Sequence, residues 1–84
     1  MNRRRCPLSM LKPGEIGVIM TLPEGAPSLT RLREMGLLPG TRVEFIRRAP
    51  MGDPVEIGVR GALLSLRDAE ASLIEVETER AAEV

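Results

Sequence analysis

Histidine, tryptophan and tyrosine are missing from this 84-residue chain, and Phe45 and Cys6 are its single phenylalanine and single cysteine. Each gap closes a class of function. Without histidine the commonest general base is gone, and the hydroxyls (Ser9, Thr21, Ser28, Thr30, Thr41, Ser65, Ser72, Thr78) are explained by turns, caps and strands. Gly58-Val59-Arg60-Gly61 lacks the Gly-Lys-Ser/Thr ending of a phosphate-binding loop. An enzyme is not expected. With no imidazole and one thiol, zinc and ferrous iron lack their usual nitrogen and sulfur ligands, so no resident metal or cofactor is expected either. The aromatic shortage removes both the groove that reads proline-rich peptides and the platform that stacks single-stranded nucleic acid.

Other absences bear on compartment. A lone cysteine excludes an intrachain disulfide and points to a reducing environment, with Cys6 read as an inert thiol. No apolar run approaches the ~20 residues of a membrane span; the longest mostly apolar stretch is Ile16 to Leu22. The Arg-rich start lacks the apolar stretch and cleavage site of a signal peptide. The expected location is cytoplasmic, peripheral to a membrane at most.

What is present is a balanced charge, 12 Lys+Arg against 12 Asp+Glu, distributed unevenly. Residues 1–12 carry Arg3, Arg4, Arg5 and Lys12 with no acid, and residues 68–84 carry six acids and one Arg. We read these as solvated ends, with a weak basic contact to an anionic membrane as the alternative. Glu75, Glu77 and Glu79 fall on one face of an extended strand; a solvated outer face explains them better than a hard-cation site.

The periodicity predicts a mainly β chain: a small SH3-like five-stranded barrel over residues 10–77, with one short α-helix and one helical turn. Residues 1–9 are expected to form a flexible basic arm and residues 78–84 a flexible acidic tail. Pro13-Gly14 and Pro39-Gly40 have the chemistry of type II turns, Gly52-Asp53 lies in an all-turn segment, and Arg60-Gly61 is a tight-turn candidate between strands. Ser28 is the expected N-cap of the helix, whose apolar positions are Leu29, Leu32 and Met35. Gly36 is the expected left-handed stop, which makes Leu32 and Leu37 the hydrophobic pair of a Schellman ending. Asp68 is the expected cap of the helical turn.

Leu22, Leu29, Met35, Leu37 and Leu38 surround the helix and its exits in greater number than a two-turn helix needs for docking. They are read as core or as an exposed patch for a partner. Arg42, Arg47, Arg48 and Arg60 form a basic strip under an alternative reading, a barrel that binds nucleic acid or another ligand.

The segment Leu32-Arg33-Glu34-Met35-Gly36-Leu37-Leu38-Pro39-Gly40-Thr41 resembles the FeoA family. So do the Ala49-Pro50-Met51-Gly52-Asp53-Pro54 turn, Val59-Arg60-Gly61, and Leu64-Ser65-Leu66-Arg67 leading to Glu70-Ala71, in family order. The resemblance implies an SH3-like barrel that accompanies FeoB, the membrane transporter with a GTPase domain, in ferrous-iron uptake, without catalysis; the balanced charge and the lack of aromatics argue against nucleic acid as a partner. Weak self-association stays open. A similar domain closes the DtxR-type metal-dependent repressors, so a metal-responsive regulatory role is a further alternative; no DNA-binding helix pair precedes it here, and a complete repressor is not expected.

Overall fold

Two Pro-Gly turns set the first half of the chain. In each, the residue after glycine donates back across the turn: Glu15 N–H to Lys12 C=O at 2.9 Å, and Thr41 N–H to Leu38 C=O at 2.9 Å. The first launches β2 (Ile16–Thr21) and the second β3 (Arg42–Arg48), which pair antiparallel. The structure, a computed structural model, describes residues 3–79. Its remaining strands are β1 (Arg3–Pro7), β4 (Val55–Val59), β5 (Ala62–Leu66) and β6 (Glu75–Glu79). The helices are α1 (Pro27–Glu34) and α2 (Asp68–Ala71), with a 3-10 turn at Leu8–Met10.

The sheet is antiparallel and has six strands in the order β1-β6-β2-β3-β4-β5. The fold is mainly β and SH3-like, with one strand more than the periodicity predicts. That strand corrects the flexible-arm reading of residues 1–9. Arg3 to Pro7 pair along β6 from Glu79 to Glu75, and Leu8, fully buried, donates its N–H to Ile74 C=O at 2.8 Å. The segment has no apolar alternation of its own; the ladder and the Glu77 carboxylate, 3.6 Å from Arg3 and 3.8 Å from Arg5, hold it. The expected tail also starts later, because Thr78 and Glu79 belong to β6. Residues 80–84 lie outside the described residues. Glu75, Glu77 and Glu79 therefore sit on a strand that is last in the chain and inner in the sheet, between β1 and β2.

Alternation decides the core. Val43 and Phe45 of β3, and Val55, Ile57 and Val59 of β4, point inward with Ile19 and Val76, while Leu29 and Leu32 of α1 close the core from the side. In β2 the inward face is Gly17 and Ile19, which leaves the bulkier Ile16 and Val18 outside. Close approach of β6 explains the glycine: a Cβ on Gly17 would stand 3.2 Å from Val76 Cβ. Arg60 and Gly61 both have positive φ (52° and 83°), so the β4–β5 hairpin turns on two residues with the right-handed strand twist preserved.

Both helix starts differ from expectation. Ala26 is the N-cap of α1 and Pro27 its first residue; Ser28 lies inside the first turn and makes no capping bond. Proline suits that position because its fixed φ is helical and the N–H it lacks would have no partner there. In α2 the cap is Arg67, whose N–H donates to Glu70 Oε1 at 2.8 Å, and Asp68 is the first helical residue. The Asp68 N–H is taken instead by Asp53 Oδ1 at 2.9 Å, from the turn between β3 and β4.

Candidate functional site

The short helix ends in a fixed geometry that presents two apolar side chains. Gly36 has φ +99°, its N–H bonds Arg33 C=O at 2.9 Å, and Leu37 N–H bonds Leu32 C=O at 3.0 Å. Those are the two reversed bonds of a Schellman ending, and both of its leucines are fully buried. Thr41 then locks the exit, accepting from Leu38 N–H at 3.2 Å and donating to Gly36 C=O at 3.3 Å. Arg33, also in the last turn, ties the helix to the segment that leads into it by donating to Leu22 C=O at 2.8 Å and to Pro23 C=O.

This corrects the five-residue partner surface. Leu22, Leu29 and Leu37 are core, because the docking face of α1 and the reversed chain after Gly36 bury them against the sheet. Met35 (53% exposed) and Leu38 (44%) remain outside, on either side of the turn. Arg31 Nη1 lies 3.5 Å from Met35 Sδ.

The four-arginine strip is also divided. Arg47 is paired with Glu56 at 2.8 Å, a contact that raises its pKa further. Arg48 is an internal tie: it reaches Asp68 Oδ1 at 2.6 Å, Ser9 C=O at 2.6 Å and Gly52 C=O at 3.1 Å, with its guanidinium 5.6 Å from the Phe45 ring centroid. No motif signals that role; it depends on residues up to 39 positions away. Arg42 and Arg60 alone keep a shared outward face, on the rim of a groove of about 610 Å³. The groove crosses the outer side of β2, β3, β4 and β5, and sequence reading missed it.

Among the described residues no cluster of three Cys, Asp or Glu side chains could hold a metal ion. Glu77 is turned to Arg3 and Arg5. Cys6 packs against the core, and burial is the chief cause that pushes its thiol pKa up; Arg4 opposes, Glu15 and Glu75 add. Its thiolate is disfavoured as a ligand or nucleophile. Among the described residues no helix is long and apolar enough to cross a membrane.

Comparison with known proteins agrees with this fold. The FeoA domain family matches residues 6–78. The solution structure of the FeoA protein from Chlorobium tepidum is similar at 35% identity and TM-score 0.81, over 92% of this chain and 73% of that one. Iron(II) transport protein A from Clostridium thermocellum is similar at 38% identity and TM-score 0.79, over 86% of this chain and 44% of that one. A manganese-dependent transcriptional repressor shares the fold alone, at 16% identity and TM-score 0.80, over 94% of this chain and 44% of its own. With a match that spans most of its length, this chain belongs to the FeoA domain family, a family of non-catalytic accessory domains associated with ferrous-iron uptake.

Proposed function

We propose that the chain regulates or supports ferrous-iron uptake on the cytoplasmic side by binding a FeoB-type transporter. The observation that carries this reading is the family match over residues 6–78. The exposed helix exit supports it: Met35 and Leu38 stand out from a backbone fixed by the Gly36 turn and the Thr41 lock, so they are presented without further backbone ordering. Methionine suits such a surface because its thioether side chain repacks against a partner.

Pull-down from detergent-solubilised membranes tests it. The wild-type protein is expected to recover FeoB, and Met35→Glu to recover at least about tenfold less while it melts within a few degrees of wild type, since it adds charge to a half-exposed position. No recovery of FeoB by folded wild-type protein, together with unchanged iron uptake on deletion, rejects the proposal.

A further inference from the structure

The groove on the outer face of the sheet is built by register. Ile16 lies opposite Glu44, Glu44 opposite Gly58, and Gly58 opposite Leu63, so one row crosses four strands on the solvent side. Leu63 is 68% exposed and Ile16 39%; between them the row holds the exposed Glu44 and then Gly58, which supplies no side chain. The result is a dent with aliphatic walls, completed by Ile46, whose Cδ1 lies 3.5 Å from where a Gly58 Cβ would stand. In the next row Val18 faces Arg42, and Arg60 follows at the end of β4. Neither Arg42 nor Arg60 makes an ion pair among the described residues. Arg60 also joins the groove to the helix exit: its Nη1 lies 3.4 Å from where a Gly36 Cβ would stand.

We infer that this groove is the seat of an acidic, aliphatic segment of the partner protein, with a branched side chain over Gly58 and carboxylates on Arg42 and Arg60. The inference rests on the partner-binding reading above and names the surface and the chemistry it takes. Charge selects the occupant. Two unpaired guanidiniums beside an apolar dent favour carboxylates next to leucine, isoleucine or valine, against the single opposing charge of Glu44 between Ile16 and Gly58.

Gly58 makes the inference testable without unfolding the protein. Its φ is not positive, it lies in a strand, and a Cβ there meets Ile46 at ordinary contact distance. Gly58→Val therefore puts a side chain into the dent, and valine is a residue that strands favour. Arg60→Asn removes a cation and keeps a residue that tolerates the left-handed φ of 52°.

The first measurement uses isotope-labelled full chain and a blocked six-residue peptide of two leucines flanked by glutamates, with a lysine-flanked twin as control. Amide shifts at Arg42, Ile46, Gly58 and Leu63 are expected with the acidic peptide only, and at least about tenfold weaker binding in Gly58→Val and Arg60→Asn. Shifts elsewhere, none at millimolar peptide, or equal response to both peptides overturns the inference. Groove shifts that grow with protein concentration alone assign the face to self-association and overturn it too. The second measurement repeats the membrane pull-down with both variants. Undiminished FeoB recovery by folded Gly58→Val and Arg60→Asn overturns the groove while the transporter reading stands. Failure of wild type to recover FeoB removes the transporter reading and leaves the peptide result to decide the groove.

Discussion

Gly36 carries the helix ending by itself. Its φ of +99° is strained for any residue with a Cβ, whereas the space around it is open enough that only Arg60 Nη1 comes near, at 3.4 Å. Gly36→Ala is therefore a conformational penalty with little steric penalty, and a loss of about 1 kcal/mol is expected in urea unfolding. A midpoint unchanged from wild type would place the helix stop elsewhere. Cys6 is the other residue whose behaviour follows from its surroundings. Burial raises its pKa, so folding favours the neutral thiol. That contribution is fully present below the unfolded-state pKa and is lost as pH rises through the higher folded-state value. Alkylation of Cys6 by iodoacetamide near pH 8 is expected to be slower in the folded protein than in urea. Equal rates would contradict the burial effect.

Arg48 acts at the level of elements. One guanidinium joins β3 to the 3-10 turn, to the loop that starts at Ala49 and to α2, through two carbonyls and one carboxylate. Arg48→Met keeps most of the packing on Phe45 but leaves those acceptors unpaired, and a loss of about 2 kcal/mol is expected. Arg48→Lys is expected to recover little, because an ammonium cannot bridge three separated acceptors as a planar fork does. Recovery by lysine in thermal melts would reduce the interaction to simple charge pairing. The elements differ in how openly they are written. β3, β4, the Arg60-Gly61 hairpin and the helix stop are visible in the chain because each is set by its own alternation or turn chemistry. β1 is not, since Arg3-Arg4-Arg5-Cys6-Pro7 becomes a strand only when β6 lies beside it. The N-cap of α1 lies two residues before the expected one because Pro27, with its fixed φ, suits the first helical position and the Ser28 hydroxyl makes no cap.

Across the whole molecule, the candidate site was the least legible part for the same physical reason. Met35 and Leu38 are near neighbours, and their exposure follows from a local turn. The groove instead depends on Ile16, Ile46, Gly58 and Leu63 from four strands, and on which face of each strand turns inward. In β2 the more apolar face, Ile16 and Val18, is the outer one, so composition alone points the wrong way. One edge of the sheet carries residues that discourage further strand pairing. β1 guards its free side with three arginines and Pro7, all poor templates for further pairing.

The placement of β6 between β1 and β2 has a consequence for synthesis. A ribosome delivers Arg3–Pro7 some seventy residues before the neighbour that gives that strand its ladder. Until Glu75–Glu79 emerges, Arg3–Pro7 has no strand to pair with and one flank of β2 stays open.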